Sequence, residues 1–217
     1  MIVSLNEIES LALKAARGAG MSWGLAEEAA AAAAWLAQQA LPWAETLASV
    51  LREAHMASPP RIEGHAIVPS LGRGPICPIR AGALLSDLGP QAGVMEVQHV
   101  LAPLWLAPFV ARWAGPDRGV RLAWREVSLL VAATGVAGAD KAQQAALAAA
   151  AAAADRVSIT LEPIADAKTL PPRRERSGYL VPDDAWRALQ ALEHRTYVPA
   201  STQSRLAGAG AGLLDND

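Results

Sequence analysis

Over residues 4–55 the apolar positions recur with helical spacing, and beyond residue 57 short alternating runs broken by glycine and proline take over. The stretch SLNE at 4–7 predicts a capping box, with Ser4 capping the first helix and Glu7 reaching back to it. Ile8, Leu11, Leu13, Ala15 and Ala16 supply its apolar stripe, and Gly18 or Gly20 stops it. A second helix begins with Ser22 as its cap, carries Glu27 and Glu28 near its start, where they suit the helix dipole, and runs to about Leu41. Pro42 then opens a third helix that reaches His55, in the position where proline is tolerated. Together the three form an N-terminal helical layer over residues 1–57.

ASPPRIEG at 57–64 is a turn-rich break. After it, HAIVPS (65–70) and GVMEVQHV (93–100) predict short strands, with a short helix IRAGALLSDL (79–88) between them. APLWLAPFVARW (102–113) is a helix in two pieces, since Pro108 inside a continuous one would cost about 3 kcal/mol. GVRLAWREVSLLVAATG (119–135) is the strongest strand signal, read as Val120–Trp124 and Glu126–Ala132 or as one long bent strand. ADKAQQAALAAAAAAAD (139–155) predicts a helix from propensity, and RVSITLEPI (156–164) a strand with Val157, Ile159 and Leu161 on one face. KTLPPRRERSG (168–178) is a polar loop, after which Asp183 or Asp184 caps a last helix to about Arg195. Helices first and strands mixed with helices afterwards predict an α+β fold: a three-helix layer, then a mixed or antiparallel sheet of about five strands with packed helices over 58–217, the two forming one compact unit.

Composition narrows the partners. Of the 217 residues 52 % are hydrophobic and 18 % charged, a globular balance, and a net charge of -2 without a Lys/Arg stripe argues against nucleic acid. The alanine-rich run at 26–45 is interrupted by Glu27, Glu28, Gln38, Gln39 and Pro42 and does not predict a membrane span. The polar, acidic N-terminus does not read as a signal peptide, and one cysteine allows no internal disulfide, so a cytoplasmic location is expected. Seven Trp against one Phe and two Tyr suits interfaces, and a homo-oligomer or a partner protein is expected.

Candidate chemistry is spread along the chain. Cys77, flanked by Pro75 and Pro78, reads either as a thiolate nucleophile or proton-transfer group with Arg80 lowering its pKa, or as a small buried hydrophobe. Asp87 is a second candidate for proton transfer, paired with Glu96, or else a turn cap or ion-pair partner of Arg80. His55, His65, His99 and His194 lack metal-ligand spacing, and His99 on a strand reads as a base or a structural histidine. The C-terminal TYVPASTQSRLAGAGAGLLDND combines Gly208, Gly210 and Gly212, whose N–H groups suit an anion nest, with Arg205, Ser201 and Ser204 as ligand-binding donors. Asp215 and Asp217 suit Mg²⁺ or a salt bridge, and the alternative for the whole tail is a flexible terminus. GAGAG at 208–212 follows no strand and opens no helix, so no nucleotide-binding fingerprint is present and any cofactor stays unknown.

SLNEIESLALKAARGAGMSWGLAEEAA, CPIRAGALLSD and the C-terminal motif together resemble, across essentially the whole chain, a family of uncharacterised bacterial proteins catalogued as a domain of unknown function. That resemblance implies a free-standing protein and carries no reaction. About the first forty residues are also similar to the N-terminal helices of malate/L-lactate dehydrogenase-type enzymes, whose nucleotide-binding elements are not recognisable here. Two functions are therefore expected. One is a cofactor-independent lyase, isomerase or hydrolase acting on a small anionic metabolite held by Arg80 or Arg205, with Cys77 or Asp87 moving the proton. The other is a non-catalytic subunit or binding module with an oligomer or partner interface.

Overall fold

The computed structural model describes residues 1–115, 118–133, 135–137, 156–165 and 176–197. The alanine-rich 139–155 segment and the tail carrying Ser201, Ser204, Arg205, Gly208, Gly210, Gly212, Asp215 and Asp217 lie outside them.

Strand β1 (Ile2–Val3) leads into helix α1 (Leu5–Gly18), followed by α2 (Trp23–Gln38) and α3 (Ala44–Glu53). The capping box forms as expected: Glu7 N–H donates to Ser4 Oγ at 3.3 Å and Ser4 N–H donates to the Glu7 carboxylate at 2.7 Å. Other boundaries move. Ser22 is the N-cap of α2 but makes no side-chain capping bond, and α2 ends at Gln38, with Ala40 in the left-handed region at φ 51°. Helix α3 begins at Ala44 rather than Pro42, and a 3₁₀ turn over Ala54–Met56 completes it. Helix α2 is buried on several faces because it packs against α1 and, on its other side, the elements that line the sheet, and only alanine lets so many backbones approach it.

Among the described residues the sheet has seven strands rather than about five, in the order β2 (Pro60–Glu63), β3 (Ala66–Pro69), β4 (Met95–Val100), β8 (Val157–Ala165), β5 (Arg118–Trp124), β6 (Val127–Ala132), β7 (Gly135–Ala137). Both strands that pattern does not predict, β2 and β7, lie at its edges, where little burial imprints alternation; β2 starts with a proline, which an edge tolerates. Residues 119–135 form separate strands β5 and β6, joined at Arg125–Glu126 with Arg125 at φ 47°. Strand β8 sits at the centre, antiparallel to β4 and β5, with Ile159 and Leu161 buried as the alternation predicts. The β3–β4 pair is parallel and is bridged by α4 (Pro78–Leu88).

A 3₁₀ turn over Pro103–Leu106 runs into α5 (Ala107–Ala111), which keeps Pro108 in the first turn, so the split at this proline is observed. Among the described residues, α5 and the preceding turn lie against the sheet, α2 and α4 lie over them, and α1 packs outside α2. At the C-terminal side, β9 (Tyr179–Leu180) pairs with β1, and α6 (Asp183–Glu193) packs on α1 and α3. The N-cap of α6 is Pro182, and Asp183 and Asp184 occupy its first turn, where their charge favours the dipole. Asp183 accepts from the Met1 ammonium at 2.8 Å, which lowers its pKa. Among the described residues one buried apolar cluster runs from Ile8 and Leu36 through Trp105 and Phe109 to Leu122 and Ile159.

Candidate functional site: a basic pocket between two helix ends

Cys77 is the N-cap of α4 and fully buried, in contact with none of the cavities described below. Burial pushes its thiol above the usual cysteine range; the backbone N–H groups of Arg80 and Ile79, and then the Arg80 charge, pull the other way and lose. The group at rest is therefore the thiol. Arg80 is nearby in the first turn of α4, with Nε buried and without a hydrogen-bond partner among the described residues. Asp87 is exposed near the far end of α4, about 15 Å along the axis at the α-helical rise, so Cys77 and Asp87 do not share a site. Nor does Asp87 pair with Arg80 or Glu96: Glu96 accepts from Gln98 Nε2 at 3.1 Å. His55, His65, His99 and His194 are all exposed, and among the described residues no three His, Cys, Asp or Glu side chains cluster for a metal. His99 takes the left-handed conformation at φ 51° where the β4–β8 register shifts, and its carbonyl accepts from Ile76 N–H at 2.8 Å.

The convergence of charge lies elsewhere. A cavity of about 470 Å³ is lined by Leu13, Lys14, Arg17, Trp23, Arg195 and Thr196. Lys14 and Arg17 lie three apart on α1 and share a face, Trp23 opens α2 after the Gly20 turn, and Arg195 and Thr196 sit in the 3₁₀ turn His194–Thr196 that extends α6. Close packing of α1 on α6 brings them together. Gly18 makes this approach possible, since a Cβ there would stand 1.8 Å from the Leu192 carbonyl oxygen.

Each side chain is held differently. Lys14 Nζ is 3.0 Å from Glu193 Oε1, and the bond and charge of Glu193 raise the lysine pKa, keeping it a cation. Glu193 also accepts from Tyr197 Oη at 2.8 Å. Arg17 donates to the Met21 carbonyl and lies over the Trp23 ring at 4.9 Å. Thr196 Oγ1 donates to the Glu193 carbonyl at 2.7 Å. Arg195 makes no ion pair among the described residues.

A second cavity of about 540 Å³ lies beside the β1–β9 ribbon, walled by Leu41, Pro42, Trp43, Tyr179 and Val181, with Glu45, Arg176 and Asp183 also lining it. Opposite one another on that ribbon, Ile2 and Leu180 are 75 % and 82 % exposed.

Residues 3–91 match a family described as "Protein of unknown function (DUF3726)". The resemblance to an uncharacterised family thus stands over the N-terminal helices, β2, β3 and α4, while the C-terminal motif lies beyond the matched residues. No curated protein and no solved structure matches the chain. Lys14, Arg17 and Trp23 fall within the family match and Arg195 and Thr196 outside it. Local sequence holds one signal for the pocket, two cations three apart before a helix stop and an aromatic after it. The partner Arg195, some 180 positions away in sequence, could come only from the α1–α6 packing.

Among the described residues, no helix is long and apolar enough to cross a membrane.

Proposed function

We propose that this protein is a binding module for a small anionic metabolite, held in the pocket of Lys14, Arg17 and Arg195. What supports the reading is a charge balance that does not close within the described residues. Three cations line the pocket, and Glu193 offsets one of them. The C-terminal ends of α1 and α6 contribute about half a negative charge each, offsetting roughly one more. About one positive charge is left, and Arg195 is the side chain available to carry it to a ligand. A guanidinium fork suits a carboxylate or phosphate.

Binding is favoured over catalysis because the charged side chains lining the pocket are Lys14, Arg17 and Arg195, with no carboxylate, imidazole or thiol among the lining residues described. Paired with Glu193, Lys14 is held away from the neutral amine that a base or nucleophile needs. The buried Cys77 thiol lies outside the pocket.

The test is calorimetric titration of the full chain with carboxylate and phosphate metabolites at low and high salt. Saturable binding is expected, weakening as salt rises, with Arg195→Gln lowering affinity about tenfold or more, the range of one lost charged hydrogen bond. Equal affinity of Arg195→Gln and the native protein for every anion that binds would overturn the reading.

A further inference from the structure

Resting on the anion reading of the same pocket, we infer that its ligand carries a planar conjugated ring as well as its charge, with a nucleoside monophosphate the size-matched case. Trp23 is the observation that points this way. It lines the cavity, yet 61 % of the residue remains exposed, against 9 % or less for Trp43, Trp105, Trp113, Trp124 and Trp186. A large indole left mostly in water at the mouth of a basic pocket keeps apolar surface that the fold does not cover. Arg17 lies over one face of the ring at 4.9 Å, and the faces that an indole and a guanidinium leave open both stack on aromatic rings. The pocket thus offers two complementary recognition elements: a cation at Arg195 and a stacking surface at the Trp23–Arg17 pair. At about 470 Å³ the cavity falls within the range of small-molecule sites and has room for a ring beyond a lone phosphate.

A matched pair of probes, ribose 5-phosphate and adenosine 5′-monophosphate, isolates the ring because both present the same phosphate. Titrated into the full chain, the nucleotide is expected to bind about tenfold tighter or better, consistent with the worth of stacking one base on an aromatic side chain. Trp23→Ala should bring the nucleotide down to the sugar phosphate and leave the sugar phosphate nearly unchanged, whereas Arg195→Gln should weaken both. Trp23→Phe, which keeps an aromatic face, should restore part of the preference. Circular dichroism of each variant separates these losses from misfolding, and Trp23, being exposed, is a tolerant position. Equal binding of the two probes by the native chain would overturn the ring inference while leaving the anion reading intact. Binding of neither would overturn both for phosphate ligands, and a nucleotide preference that survives in Trp23→Ala would overturn the stacking assignment.

Discussion

Thr46 is a polar side chain in an apolar core, and three distances explain its place there. Its hydroxyl lies 2.8 Å from the Pro42 carbonyl and 3.0 Å from that of Trp43, within donating reach of both, and accepts from Trp105 Nε1 at 2.7 Å. Trp105 is among the largest fully buried side chains, so its N–H has no water to turn to. Thr46→Val keeps the shape and removes the acceptor, and the orphaned indole N–H should cost about 1–3 kcal/mol in denaturant unfolding. Thr46→Ser, which retains the oxygen, should lose less. Cys77 makes a prediction of the opposite kind, about pH. Its folded pKa is raised, so the folded state holds the thiol proton more tightly than the unfolded chain does. The contribution is fully present below the ordinary thiol range near 9.0 and is lost as pH rises through that value toward the folded pKa. The melting temperature should therefore fall more steeply above pH 9 in the native protein than in Cys77→Ala. Equal alkaline slopes would show that the thiol is not the linked group.

Among the elements, the best-read ones carry local signals. The capping box at Ser4 and Glu7 and the Pro108 break are each settled by residues a turn apart, and each is observed. The misplaced boundaries share another cause. Helix α3 starts after Pro42 because the Pro42 carbonyl is engaged by Thr46 while Trp43, buried in the core, takes the N-cap place. Asp183 lies inside α6 rather than at its cap because its carboxylate is turned to the Met1 ammonium. The α1–α6 contact is the element-scale feature on which the pocket depends, and Gly18 is its most sensitive point. Gly18→Ala sets a methyl against the Leu192 backbone carbonyl, which cannot rotate aside as a side-chain end would. The helices must separate, with an expected loss of about 1–3 kcal/mol in thermal or denaturant unfolding. Anion affinity should fall along with it, because Lys14 and Arg195 move apart. Loss of stability with unchanged affinity would mean that the pocket does not depend on this approach.

At the scale of the whole molecule, contacts between residues far apart in sequence close the fold. Ile2 pairs with Leu180, Lys14 meets Glu193, and Trp105 reaches Thr46. The α+β class, the helical layer and the central strands followed from the sequence alone, because alternation and helical spacing are imprinted wherever one face is buried. The short strands β1, β2, β7 and β9 were not legible, since two to four residues at an edge or in a two-strand ribbon are too few to carry a period. The cations that line one cavity among the described residues are Lys14, Arg17 and Arg195, whereas the sequence points to Arg80 and the C-terminal tail. Sequence by itself determined which segments are helical and which alternate as strands, since these depend on neighbours within a turn or a strand. Only the tertiary structure decided that Cys77 is enclosed and Trp23 exposed, and that three cations share one cavity. Burial and net charge at a point are sums over side chains that folding brings together from opposite ends of the chain.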